Sequence, residues 1–380
     1  MSLNPTIEHA KHLAKNFIDR ISWEQCLKVL KRNKFPTSLG AQRTLAKLNE
    51  YIESNEVLAQ QFISKIKPLY CDLLKAGDRT VMVFSLDANM EVSLLEKLPN
   101  IKTPPSIEQE LFPLILDDNA LSEINSDTKL IHVEQMDKKY FFYYSTKRAI
   151  TEKKELVLSM FNLSDEVKKE LSQFNRITAF TESPRQFIDI VVLDLENSRL
   201  EFRLDIAYAV SSKDINQLFD NIKHSFKKTF SLENSYPLYR NSYNFFPMIE
   251  SIYENKEIRV CELSFVTDGY VHNERDRNSS SSEDGIKGDV RRGEFHQGGI
   301  ERCDIDVYRV SSRWEKTINE IPFEVEVSLN STFRVLNEKL DSAKVLDNVI
   351  FSMCSTSKAM ESILNELTLS DENELSETGS

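Results

Sequence analysis

The sequence predicts an α+β protein: a helical N-terminal region, a mixed and largely antiparallel sheet core with packed helices, and a long C-terminal helix. Three observations carry that prediction. Apolar residues recur at three- and four-residue intervals through residues 4–76, the period of an amphipathic helix. Beyond Pro99, Pro104 and Pro105 the period drops to two, in short runs bounded by turn residues. Those runs come in groups broken by single helices, without strict alternation, which favours antiparallel pairing.

In the first region (1–98), Leu45, Leu48, Ile52, Leu58, Phe62, Ile63, Ile66, Leu69 and Leu73 mark helical stripes, with Pro68 a kink or break. Segments 22–33 and 38–54, joined by Lys34-Phe35-Pro36-Thr37, have the layout of a helix-turn-helix, with Ser38, Gln42 and Arg43 opening the second helix. A generic helical hairpin shares that pattern. Residues 81–86 read as a buried strand and 90–98 as a helix.

In the second region (106–254), 130–136 and 139–146 flank Asp137-Lys138 as a hairpin, and 155–161 adds a third strand. A helix over 164–174, a second hairpin spanning 187–207 and a helix over 213–230 follow. The third region (255–367) carries strands at 257–267, 303–310 and 323–329, a mobile insert at 268–301 and a helix over 333–367. Residues 368–380 read as a disordered acidic tail.

Composition bounds the function. At 380 residues the chain exceeds one typical domain, and 40% hydrophobic with 28% charged residues is ordinary for a globular protein. No apolar run approaches the ~20 residues that cross a bilayer. The N-terminus lacks the layout of an export signal, so a cytoplasmic location without a membrane partner is expected. Five cysteines without a Cys-x-x-Cys support neither a disulfide framework nor a zinc ribbon. Six of the nine glycines lie within 269–299, and none precedes a Gly-Lys-Ser/Thr ending. A Walker-type NTPase and a dinucleotide-binding Rossmann unit are therefore disfavoured, and no cofactor is expected.

Charge is the strongest functional signal. The net charge is −12, yet residues 11–47 hold nine basic residues against Asp19 and Glu24, a local excess of seven. Such asymmetry points to an anionic partner at one end of the molecule. The leading expectation is a non-enzymatic binding component for nucleic acid or a partner protein. Lys28, Lys31, Arg32, Lys34, Arg43 and Lys47 would supply the contacts, joined by Arg291 and Arg292 of the insert. A solvated helical surface is the bland reading of the same charges.

The second hairpin offers an enzymatic alternative. In its second strand Leu200, Phe202, Leu204 and Ile206 alternate with Arg199, Glu201, Arg203 and Asp205. An odd-length loop would set Asp189 among the charged residues, whereas an even one would bury its carboxylate among leucines, which is costly. In the odd register Asp189, Glu201 and Arg203 share a face. Over about twenty residues this resembles the metal-dependent nucleases of the restriction-endonuclease-like fold. The resemblance implies two carboxylates holding Mg²⁺, with a basic residue beside the attacking water. Arg203 departs from it, because arginine stays protonated where a tuned lysine takes a proton.

Three further features carry expectations. On a strand, Tyr140, Phe142 and Tyr144 share one face and Phe141 and Tyr143 the other, so one face could stack unpaired bases. Cys261, His272, His296 and Cys303 bracket the insert, at intervals too irregular for a known zinc site. The predicted C-terminal helix has an apolar stripe (Val335, Leu336, Leu340, Val345, Leu346, Val349, Ile350, Met353) that suits a homo-oligomer.

Overall fold

The computed structural model describes residues 4–156, 164–174, 176–207, 212–233, 238–268, 270–276, 288–318, 321–336 and 344–377. Polar caps set where the first helices begin. Asn4, Ser22 and Asn55 accept backbone N–H groups at the starts of α1 (Pro5–Arg20), α2 (Trp23–Arg32) and α4 (Glu56–Lys75), with α3 (Ala41–Ser54) between. Their apolar stripes meet in one cluster that includes Leu13, Phe17, Leu30, Leu48, Ile52, Phe62 and Ile66. Pro68 sits inside α4, which continues through it.

Gly77 ends this helical layer. Its φ of +55° is left-handed, and a Cβ there would stand 2.9 Å from the Leu73 carbonyl oxygen, so glycine alone turns α4 directly into β1 (Gly77–Ser85). The chain then runs through α5 (Ala88–Lys97), α6 (Ile107–Leu111), α7 (Asp118–Glu123), β2 (Lys129–Met136), β3 (Lys139–Leu156), α8 (Asp165–Leu171), β4 (Ile177–Asp194), β5 (Arg199–Asp205) and α9 (Ser212–Thr229). It continues through α10 (Met248–Glu254), β6 (Arg259–Thr267), β7 (Tyr270–Arg275), α11 (Glu294–Ile300), β8 (Asp306–Ile318), β9 (Ile321–Asn330), α12 (Phe333–Leu336), β10 (Asn348–Cys354) and α13 (Ser357–Glu377).

Among the described residues ten strands form one antiparallel sheet, ordered β2-β3-β4-β5-β1-β10-β9-β8-β6-β7. The α+β class read from the sequence therefore holds. β1 lies at the centre, paired with β5 and β10, so one sheet joins all three predicted segments. One face carries Val81, Val83, Val327, Val349 and Phe351 under α10 and α13. Towards β3 the same face carries Phe141, Tyr143, Ile190 and Val192 under Phe112 and Ile115, with Lys75 of α4 lying 5.1 Å over the Phe141 ring. On the opposite face Phe142, Val191, Leu193, Leu200 and Phe202 pack against α5 and α9.

Three predicted elements differ. The helix expected over 333–367 is α12, then β10, then α13. Val349 and Phe351 alternate with half-buried neighbours, so a strand between β1 and β9 satisfies both backbone and core where a helix could not. Val349, Ile350 and Met353 are therefore strand residues, the self-association stripe does not form, and Leu340 lies outside the described residues. β3 runs unbroken to Leu156 in place of a separate strand at 155–161, of which 157–161 lie outside the described residues. α13 runs through Glu377, into the stretch expected to be an unstructured tail.

Candidate functional site

The charged side of β5 faces helices, not solvent. Arg199, Glu201, Arg203 and Asp205 are all buried. Arg199 Nε donates to Glu201 Oε1 at 2.7 Å and Arg203 Nε to Oε2 at 2.8 Å, so two guanidiniums hold one carboxylate. Arg203 also donates to the Lys75 carbonyl at the end of α4 (2.9 Å), and Arg199 to the Thr368 hydroxyl on α13 (3.3 Å). Lys139 bridges Asp194 (3.2 Å) and Glu361 of α13 (3.1 Å).

At the far end of β5, Asp205 meets Arg20 of α1 and accepts the Ile188 N–H at 3.0 Å. Arg79 donates to the carbonyls of Leu74 and Ala76 (3.0 Å), which the end of α4 leaves open, and to that of Ile188 on β4 (2.6 Å). Burial by itself would raise the Glu201 carboxyl, but the Arg203 and Arg199 charges outweigh it and hold it at about 2. Asp205 is held at about 2 in the same way by Arg20 and Arg79. The network fastens α1, α4 and α13 to the sheet.

Asp189 lies elsewhere. Asp194 pairs with Arg199 across the 195–198 loop, an even connection, and Ile190 and Val192 pair with Arg203 and Glu201. This reverses the expected register. Asp189 shares its face with Val191 and Tyr144, opposite Glu201 and Arg203. From sequence alone that register carries the cost of a carboxylate buried among leucines. Arg148 removes the objection: its guanidinium bonds Asp189 and lies 4.6 Å over the Phe187 ring. The Asp205 N–H adds a bond to Asp189 at 2.9 Å. Asp189, Glu201 and Arg203 thus form no shared constellation, and the nuclease-like reading is corrected. Among the described residues no group of three or more His, Cys, Asp or Glu is placed to hold a metal.

The aromatic strand is likewise enclosed. Phe142 and Tyr144 face α9, while Phe141 and Tyr143 pack with Ile131, Phe112 and Ile115 on the other side. Neither face is left to stack bases.

The basic helices behave differently. Lys28, Lys31, Arg32, Lys34, Arg43 and Lys47 are exposed. Lys28 pairs with Glu24 at 2.7 Å. Lys31, Arg32, Lys34, Arg43 and Lys47 form no ion pair among the described residues. Elsewhere in 11–47, Lys11 is taken by Glu53 at 2.7 Å, and Arg20 by Asp205. Residues 33–40 fold back over α3: Phe35 is buried against Phe62 and Tyr51, and Thr44 Oγ1 bonds the Ser38 backbone. This sets Lys47 Nζ 3.5 Å from the Thr37 carbonyl. Lys65 of α4, not selected from the sequence, lies 5.8 Å over the Phe35 ring. Lys34 and Lys47 therefore adjoin one loop, with Lys31 and Arg32 on the turn of α2 that leads into it.

The flanks of the insert are built into the fold, while residues 277–287, including Gly285, lie outside the described residues. Arg291 is committed internally, pairing with Asp289 (2.6 Å) and donating to the carbonyls of Tyr253 (2.5 Å) and Ile258. It has no donor left for a ligand, which removes it from the predicted contacts; Arg292 is exposed. His296 is buried, its Nδ1 at 2.9 Å from Glu274 and its Nε2 at 3.0 Å from the Tyr253 hydroxyl. The Glu274 carboxylate can only accept, so Nδ1–H donates to it and Nε2 faces the phenol. His272 meets Thr267 (2.7 Å), Cys261 bonds the Ser311 carbonyl and Cys303 that of Gly299. The four bracketing residues do not converge.

Among the described residues, two open grooves exceed 800 Å³. One, of about 910 Å³, runs along α1 past His9, His12 and Lys15 to Asp118 and Arg185, with mixed charge. The other, of about 850 Å³, lies between α9 and the entry to β2. Comparison with protein-family models and with curated proteins finds no match to this chain.

Proposed function

We propose that this protein is a non-enzymatic nucleic-acid-binding component that grips the phosphate backbone through α2, the 33–40 loop and α3. One observation carries the reading. Lys31, Arg32, Lys34, Arg43 and Lys47 stand exposed, without acidic partners among the described residues, on a chain of net charge −12. Left unpaired, such cations attract a polyanion and gain affinity as its counterions leave. The reading favours backbone contact over base reading. α3 packs on α1 and α4, and Arg43 and Lys47, four residues apart, share its exposed face. All five cysteines are free, which suits the reducing cytoplasm.

Fluorescence anisotropy with labelled single- and double-stranded oligonucleotides tests this. Lys31→Glu/Lys34→Glu/Lys47→Glu should weaken binding by more than about 100-fold at low salt, as three contacts turn repulsive. Binding that survives this change moves the interface elsewhere. An acidic protein captured in place of oligonucleotide would replace nucleic acid as the partner.

A further inference from the structure

The second groove lies on the other side of the sheet, beside the face that α9 covers. Three separate elements bring lysines to it, and α9 adds an imidazole. Lys102 comes from the segment before α6, Lys129 from the start of β2, and His224 and Lys228 from α9. His224 and Lys228 are four residues apart, so they share one helical face with Asn221 and Ser225, which also line the groove. A solvated helix surface would place its lysines on one element; here they converge from three.

The groove's own carboxylate, Asp127, offsets one of the three lysine charges and leaves the lining cationic. Asp127 accepts from the Asn125 amide at 2.6 Å. Lys129 forms an ion pair at 3.5 Å with the buried carboxylate of Glu108, which holds it in place. The floor is rigid: Tyr144 is fully buried and donates to Thr229 Oγ1 at 3.1 Å. A volume of about 850 Å³ falls within the ~300–1,000 Å³ of small-molecule sites.

We infer that this groove binds a phosphorylated small molecule of about nucleotide size, its phosphates meeting Lys102, Lys129 and Lys228. Asn221 and Ser225 supply the amide and hydroxyl that neutral ligand oxygens need. This site is independent of the basic helices and stands whether or not nucleic acid binds there.

Isothermal titration of the full chain with ATP, and separately with inorganic tripolyphosphate, tests the inference. Lys102→Glu/Lys228→Glu should weaken ATP binding about tenfold or more, because two charge-assisted contacts become repulsive. Lys31→Glu/Lys34→Glu/Lys47→Glu should leave it within about twofold, since distant sites act independently. All five altered lysines are exposed, and an unchanged circular dichroism spectrum confirms folding. Equal affinity for both probes assigns recognition to phosphate alone, and tighter ATP adds the nucleoside; either supports the site. No binding of either probe at about 1 mM, or equal ATP affinity for Lys102→Glu/Lys228→Glu, overturns it.

Discussion

Replacing Glu201 by glutamine keeps its shape and removes its charge. The wild-type carboxylate lies between Arg199 at 2.7 Å and Arg203 at 2.8 Å, all three buried. Glutamine offers one acceptor and turns an NH₂ towards a guanidinium, donor against donor. Removing one partner of a buried ion pair costs about 3–5 kcal/mol, because the remaining charge is uncompensated. Holding the carboxyl at about 2, against about 4.3 in an unfolded chain, gives a figure on the order of 3 kcal/mol by linkage. That is a large part of a typical 5–15 kcal/mol. Urea unfolding at pH 7 should show a lower midpoint at unchanged slope. The apolar triple Arg199→Met/Glu201→Leu/Arg203→Met should recover most of the loss, since it leaves no stranded charge. A Glu201→Gln loss under about 1 kcal/mol, the worth of an exposed pair, would refute the clamp.

Further outcomes follow from the same geometry. Glu201 and Asp205 have folded pKa values below their unfolded ones, about 4.3 and 3.9, so the folded state binds fewer protons between the two. Their stabilisation is complete above about pH 5 and fades as pH falls through about 2; urea midpoints that stay flat over this window would contradict it. Arg148→Met should cost about 3–5 kcal/mol by stranding Asp189, and a neutral effect would argue for the other hairpin register. His296→Ala should cost roughly 1–3 kcal/mol through the partners it leaves unmet on Glu274 and Tyr253. Hydrogen exchange should then accelerate in α11, and unchanged protection there would show that the histidine is not its anchor.

The sequence told most where local pattern and final environment agreed. The α1–α4 stripes, the 130–146 hairpin and the alternation of β5 follow from periods of 3.6 and 2, which tertiary packing then satisfied. It misled where a partner lies far away in sequence. Nothing local says that Arg148 reaches Asp189, so the burial cost pointed to the wrong register. β10 looked helical because its apolar residues also satisfy helical spacing. Its place between β1 and β9 is set by pairing with strands hundreds of residues upstream or just before it. The exposed lysines of α2 and α3 were visible as a charge imbalance. The groove's Lys102, Lys129, His224 and Lys228 had no sequence signal beyond the four-residue spacing of the last two.

The salt dependence of oligonucleotide binding tests the central claim most directly. Association constants for duplex DNA should fall linearly on a log–log scale as salt rises, with a slope near −0.9 for each phosphate contacted. Reversing Lys31, Lys34 and Lys47 together should reduce the steepness of that slope by about 3. A slope near zero for the wild type, or one that this reversal leaves unchanged, contradicts a phosphate grip on α2 and α3.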